Sequence, residues 1–229
     1  MEAGATVIGI IEWDGAVVNP KGIDVEALQA HRVERGSITG FAGAKTVKDG
    51  LSVLEYECDI LVPAALENQI FKENAPRIKA KIVAEGANGP VTAVAEDILN
   101  KKGIVVMPDM FVNAGGVVVS YFEWLKNISH VRFGRMDKRF EEGSNTRLVN
   151  ALENLTGKSL TLSERNLIAR GADEEDLVNS GLEDTMISSY HSIMEVFWGN
   201  PKVKDLRTAA FVNSINKIAG SYMSLGIFP

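Results

Sequence analysis

The sequence has little of several things, and each scarcity excludes something. It has one cysteine, Cys58, so no disulfide forms within the chain. Its context, CDILVP, reads as a buried and inert thiol. There is no basic excess: the net charge is −6, which argues against nucleic-acid binding, since a phosphate-binding surface shows a basic surplus. No apolar run approaches the roughly 18 residues of a membrane span. The first residues, MEAGATVIGII, show neither a basic n-region nor a cleavage-like site, so no secretory signal is read there. Internal repeats and low-complexity segments are also missing. What is present suits a globular chain: 45% hydrophobic and 24% charged residues over 229 positions allow one large domain or two small ones with a real core.

Short apolar runs punctuate the first half. ATVIGII, CDILVPAA, KAKIVAEGAN and IVVMPD read as buried strands, stopped by Glu12, Pro63, Gly86 and Pro108. Between them, GIDVEALQAHRVERG reads as a helix with Asp24 as N-cap and Gly36 as stop, and TAVAEDILNKKG as a short amphipathic helix closed by Gly103. A long helix is expected from about Asn113. Strands of this kind alternating with helices imply an α/β fold with a Rossmann-like parallel sheet, all of these strands parallel. In such sheets ligands bind outside the carboxyl ends of the strands.

Two Asn-Gly clusters fall at those ends. AEGANGP follows the strand at 81–84, and NAGG follows the strand at 104–107. Glycines in a helix start cost roughly 1 kcal/mol each against alanine, so Gly115 and Gly116 need a reason. Gly86, Gly89, Gly115 and Gly116 suit a close approach to a ligand or a sharp turn. Asn88 and Asn113 bring amide donors and acceptors to the same edge. Plain turn chemistry is the competing explanation. Glu12 ends the first strand, where an acidic residue of a dinucleotide-binding fold holds the adenine-ribose hydroxyls. The matching glycine-rich turn belongs about 20 residues earlier. No G-x-G-x-x-G turn precedes Glu12. The chain is therefore either no dinucleotide binder or the later part of one.

CDILVPAA, KAKIVAEGANGP, MPDMFVNAGGVVVSYFEWLKN and DLRTAAFVNSINKI, in this order, resemble the C-terminal half of glutamate dehydrogenase. The likeness runs from about Ala3 to the C-terminus. It implies an NAD- or NADP-dependent oxidative deamination of L-glutamate to 2-oxoglutarate and ammonia, in a homohexamer. It implies an incomplete Rossmann-like domain at 1–127, an antenna-like insert at 128–180 like that of animal mitochondrial enzymes, and C-terminal helices at 181–229 that pack back on the domain. By position, Glu12 and Trp13 would meet the adenine ribose, and Ala64, Ala65 and Gln69 would line the adenine path. Gly86, Ala87 and Asn88 would approach the nicotinamide ribose, and Asn113 would bond its carboxamide. Val117 and Ser120 would contact the substrate, Ser120 at its γ-carboxylate. No catalytic residue and no metal ligand is expected in this chain. The family's acid–base lysine and carboxylate belong to its other domain, so the chain alone is expected to be inactive. NPKG at 19–22 looks like the catalytic lysine loop but sits on the cofactor side and reads as a turn.

The sequence also departs from the family. Trp13 replaces a small hydroxyl residue, and Leu66 replaces a serine. Ala93 and Val94 replace a proline and a glutamate, so the start of that helix is expected to change. Ser188 and Arg132 alter an ADP site near His130. The last helix, with Ala209, Val212, Ile215, Ala219 and Tyr222 in register, reads as facing the core. The tryptophans read as core or subunit contacts. The resemblance to animal enzymes implies the mitochondrial matrix, with the cytoplasm as the alternative. Two rival readings remain: a non-catalytic module that pairs with full-length subunits, and a leucine, phenylalanine or valine dehydrogenase. Ser120 and the insert argue against the second.

Overall fold

The computed structural model describes residues 4–129 and 135–226. The chain divides into two compact units, Met1–Asn113 with Val196–Pro229, and Ala114–Glu195.

The first unit holds two three-stranded sheets. In one, β4 (Ile60–Leu61), β5 (Ile82–Ala84) and β6 (Val105–Met107) run parallel in that order. These are the expected apolar runs, and Val83 and Val106 are buried at the sheet's centre. Helix α2 (Ala93–Lys101) crosses from β5 to β6 and lays Ala95 and Leu99, both fully buried, on the sheet beside Ile70, Ile78 and Ile104. Thr92 caps α2, its hydroxyl accepting the Ala95 amide, so the helix has a capped start with Ala93 and Val94 at its first two positions.

The other sheet corrects the sequence reading. β1 (Gly9–Glu12) is antiparallel: it forms a hairpin with β2 (Gly15–Val18), which pairs in turn with β3 (Lys45–Val47). Trp13 and Asp14 are the two residues of the hairpin turn. β2 is fully buried while β1 is only partly so. The two-residue turn brings the apolar runs on either side of it against each other, and this pairing overrides the expectation of a lone parallel strand. Helix α1 (Val25–Arg35) follows with the expected caps. The Asp24 side chain accepts the Ala27 amide, and Gly36 closes the helix at φ 73°. Leu28 seals its inner face against Val17, Ile23 and Ile38. NPKG is a turn, with the Gly22 amide on the Asn19 carbonyl.

A separate single turn, α3 (Asp109–Val112), ends at Asn113. The long helix expected from about Asn113 follows it as α4 (Gly115–Ser129), which starts afresh in the second unit. That unit continues with α5 (Arg135–Thr156), α6 (Leu162–Ala169) and most of α7 (Glu174–Gly199). α5 and α6 pack together. Arg165 of α6 bonds Glu153 and Asn150 of α5, and Val149 is fully buried. A capping box at Thr161 and Glu164 starts α6.

α8 (Leu206–Leu225) returns to the first unit. Only Ala209 and Ala210 are buried. Ile215 and Tyr222 are more than half exposed, so the core-facing reading holds for the first turn alone. Trp13, Trp124 and Trp198 are also exposed, which overturns a place for them in the core. Cys58 is half-buried, and burial, helped by the charge of Asp59, pushes its thiol pKa up.

Candidate functional site

Because β4, β5 and β6 are parallel, the loops that leave them emerge at one edge. Backbone bonds knit these loops together. The Ala87 amide donates to the Pro63 carbonyl and the Glu85 amide to the Met107 carbonyl. The Asn68 amide donates to the Gly89 carbonyl and that of Ile70 to the Pro90 carbonyl. Asn74, buried, holds the same region from below: its Nδ2 donates to the Gln69 carbonyl, and its Oδ1 accepts the Phe71 amide.

At this edge the structure gathers Ala64, Ala65, Gln69, Gly86, Ala87, Asn88 and Asn113 from the positions singled out in the sequence. Asn113 Nδ2 donates to Asn88 Oδ1 at 2.7 Å, which joins the ends of the second and third loops. Gly86 sits so close to the first loop that a Cβ there would lie 3.1 Å from the Ala64 Cβ. Gly89 turns the second loop at φ 55°, a left-handed conformation. Ala64 and Ala65 are exposed, and Gln69 is half-buried with its amide on the Glu67 carbonyl.

Glu12 and Trp13 lie at the tip of the β1–β2 hairpin. Glu12 pairs with Arg32 of α1 at 3.3 Å, and Trp13 is 89% exposed. Val117 and Ser120 stand on α4, in the second unit, and both are exposed. The Ser120 hydroxyl donates to the Val117 carbonyl at 2.8 Å. In the same unit Gly115 faces Leu182 of α7: a Cβ at Gly115 would lie 3.6 Å from the Leu182 Cδ1, an ordinary contact, and one at Gly116 would meet nothing within 4 Å. Ser188 is exposed on α7; His130 and Arg132 lie outside the described residues.

The sequence reading missed the charges beneath the loops. Glu85, the first residue after β5, is fully buried. Its Oε2 accepts the Asp109 amide at 2.8 Å and an Arg207 guanidinium N–H at 2.5 Å. Arg207, in the first turn of α8, also donates to Glu96 Oε2 at 2.7 Å and Asp109 Oδ1 at 2.9 Å. Asp109 Oδ2 in turn accepts the Gly89 amide at 2.9 Å. One guanidinium therefore serves three carboxylates, and burial leaves Glu85 Oε1 and Glu96 Oε1 without a partner among the described residues. Burial pushes the Glu96 carboxyl pKa up; the bond from Arg207 opposes this, and the charges of Glu85 and Asp205 add to it. Burial also pushes on Asp109, but the amides of Gly89 and Met110, with Arg207, bring its carboxyl below the ordinary value. Burial disfavours the charged Arg207, yet its bonds to Glu96 and Glu85 hold the guanidinium more firmly protonated than usual. A Glu in an otherwise apolar strand end and an Arg opening an apolar helix are the signals that point to this cluster.

Loops converging at the carboxyl edge of a parallel sheet, with a helix crossing between strands, define a Rossmann-like α/β protein. The chain belongs to the Glutamate/Leucine/Phenylalanine/Valine dehydrogenase family, whose model matches residues 1–173. It is 48% identical over 225 residues to a mitochondrial glutamate dehydrogenase of Dictyostelium discoideum, covering 98% of this chain and 44% of that protein. It is 47% identical over 218 residues to a probable glutamate dehydrogenase of Sinorhizobium fredii, covering 95% of this chain and 49% of that one. Its fold is similar to the crystal structure of glutamate dehydrogenase from Peptoniphilus asaccharolyticus, with a TM-score of 0.62 and 27% identity, over 99% of this chain and 42% of the other. The chain thus spans under half the length of the curated relatives it matches. Among the described residues no helix is long and apolar enough to cross a membrane, and no cluster of His, Cys, Asp and Glu suits a metal ion.

Proposed function

We propose that this chain is the cofactor-holding part of an NAD- or NADP-dependent glutamate dehydrogenase, which converts L-glutamate to 2-oxoglutarate and ammonia. The observation that carries the reading is the Asn88–Asn113 bond at the ends of β5 and β6. It spends one Asn113 Nδ2–H on Asn88, and among the described residues nothing donates to Asn113 Oδ1. That oxygen is suited to accept the carboxamide N–H of a nicotinamide. The small residues Ala64, Ala65, Gly86 and Ala87 let a flat ligand lie against backbone, and Gln69 and Asn88 offer amides to its ribose hydroxyls. Glu12 would take the adenine-ribose hydroxyls, beside Trp13. When bound, the nicotinamide ring accepts hydride from the substrate's Cα.

Val117 would pack on the substrate's methylenes. Ser120 would reach its γ-carboxylate by rotating its hydroxyl away from the Val117 carbonyl. The acid–base groups would come from the remainder of a full-length enzyme, so the chain alone would not turn over glutamate. We also assign residues 128–180 as an antenna-like insert and 181–229 as the helices that follow it. A homohexamer is proposed for the whole enzyme from the family resemblance. A mitochondrial address is proposed from the Dictyostelium relative's name.

The test is calorimetric titration of the chain with NADH, followed by Asn113→Ala. Binding that weakens about tenfold in the variant, the effect of one or two buried hydrogen bonds, supports the reading. Equal binding by both proteins, or none by either, refutes it. Turnover of glutamate by the chain alone would refute the division of labour.

A further inference from the structure

The two loops proposed to meet the nicotinamide are stitched at two points, and the stitches differ. Asn88 to Asn113 is a neutral side-chain pair at 2.7 Å. Gly89 to Asp109 is a backbone amide on a carboxylate at 2.9 Å, a charge-assisted bond. Asp109 sits one helical turn before Asn113, whose own amide donates to the Asp109 carbonyl at 3.0 Å. The place of Asp109 therefore fixes the place of Asn113. Asp109 is itself held from two sides. Its amide is on Glu85 Oε2, and its Oδ1 accepts from Arg207, an N–H that arrives from 98 residues away on α8. The same guanidinium grips Glu85, which leads directly into Gly86.

We infer that Arg207 is a positioning residue for the cofactor site: its three-pronged grip on Glu85, Glu96 and Asp109 holds the loop at 86–89 and the turn at 109–113 in one register. The inference rests on the cofactor reading above. It is specific to a planar fork of donors. A lysine at 207 keeps the positive charge but, as a point charge, does not reproduce three directed bonds to three carboxylates. The grip acts on the nicotinamide end. Glu12, at the hairpin tip, is not part of it.

The experiment uses the 229-residue chain and two variants, Arg207→Lys and Asp109→Asn, each checked for an unchanged far-UV spectrum. Two quantities are read. The first is amide hydrogen exchange, at Gly89 and, as internal controls, at Val83 and Leu99. The second is the affinity for NADH and for ADP-ribose, which lacks the nicotinamide ring. In both variants, Gly89 exchange is expected to rise about tenfold while the controls hold, as a charge-assisted bond is lost without global opening. NADH affinity is expected to fall about tenfold and ADP-ribose affinity to stay level. Unchanged Gly89 exchange in both variants overturns the inference. So does an equal fall for NADH and ADP-ribose, which marks a general loosening. If the unaltered chain binds neither probe, the cofactor reading fails by itself. Gly89 exchange then decides on the grip alone.

Discussion

Arg207 donates to Glu85 at 2.5 Å although 122 residues separate them in sequence. Glu85 is fully buried, and Arg207 keeps 22% of its side chain exposed. Removing one partner of such a pair leaves a buried charge without compensation. Arg207→Leu is therefore expected to lower stability by about 3–5 kcal/mol, read from the urea midpoint. Arg207→Leu combined with Glu85→Gln is expected to recover part of that loss, because the stranded charge is gone. No recovery in the double variant would show that the pair is not coupled.

The same cluster gives stability two opposed pH dependences. The Asp109 carboxyl sits below its ordinary value of about 3.9 in the folded chain. Its contribution is present above that value and is lost as pH falls through the lower folded value. Glu96 is shifted the other way by burial. Its contribution is present below about 4.3 and is lost as pH rises through its raised folded value. Asp109→Asn should flatten the acid limb of a stability-versus-pH curve, and Glu96→Gln should flatten the limb above it. A curve unaltered by either substitution would contradict both assignments.

Leu99 lies fully buried between α2 and the parallel sheet. Leu99→Ala is expected to cost about 2–5 kcal/mol through lost burial and the cavity left behind. Val94, on the exposed side of the same helix, supplies the control: Val94→Ala should stay within about 0.5 kcal/mol. Chemical denaturation of the two variants separates these values cleanly.

Cofactor choice should respond to the Glu12–Arg32 pair. A carboxylate at the end of this strand favours a free ribose hydroxyl, whereas a nearby arginine accommodates a 2′-phosphate. The pair is partly exposed and 3.3 Å apart, so each side chain tempers the other. Arg32→Ala is expected to raise the NADH-to-NADPH affinity ratio roughly tenfold, and Glu12→Ser to lower it by a similar factor. Titration of each variant with both cofactors gives the ratio directly. A ratio indifferent to both changes would remove Glu12 from the ribose site.

β5 and β6 are legible because they are wholly apolar and are stopped by Gly86, two residues past β5, and by Pro108, and the caps of α1 are written in Asp24 and Gly36. β2, four residues long and opening on Gly15, is too short an apolar run to declare itself as a strand in the sequence. Its partner β1 does not declare itself antiparallel, because an apolar run by itself carries no direction. The apolar register of α8 was real, but register tells which residues share a face, not what covers that face. Asn88 and Asn113 could be paired by reasoning about strand ends. Arg207 could not be placed with Glu85, because only the return of α8 to the sheet brings them together.

Asparagine followed by glycine is also a chemical weak point. The glycine nitrogen, unhindered by any side chain, can attack the asparagine carboxamide carbon and expel ammonia, closing a succinimide ring that water reopens as aspartate or isoaspartate. Asn88–Gly89 is such a pair, at the very edge proposed to hold the nicotinamide. Here the attacking nitrogen has its hydrogen directed at Asp109 Oδ2, and the carboxamide oxygen is occupied by Asn113. Both reactants are thus engaged by the turn at 109–113, so the contacts that shape the loop also restrain the movement that ring closure needs, and with it the rate at which the loop ages.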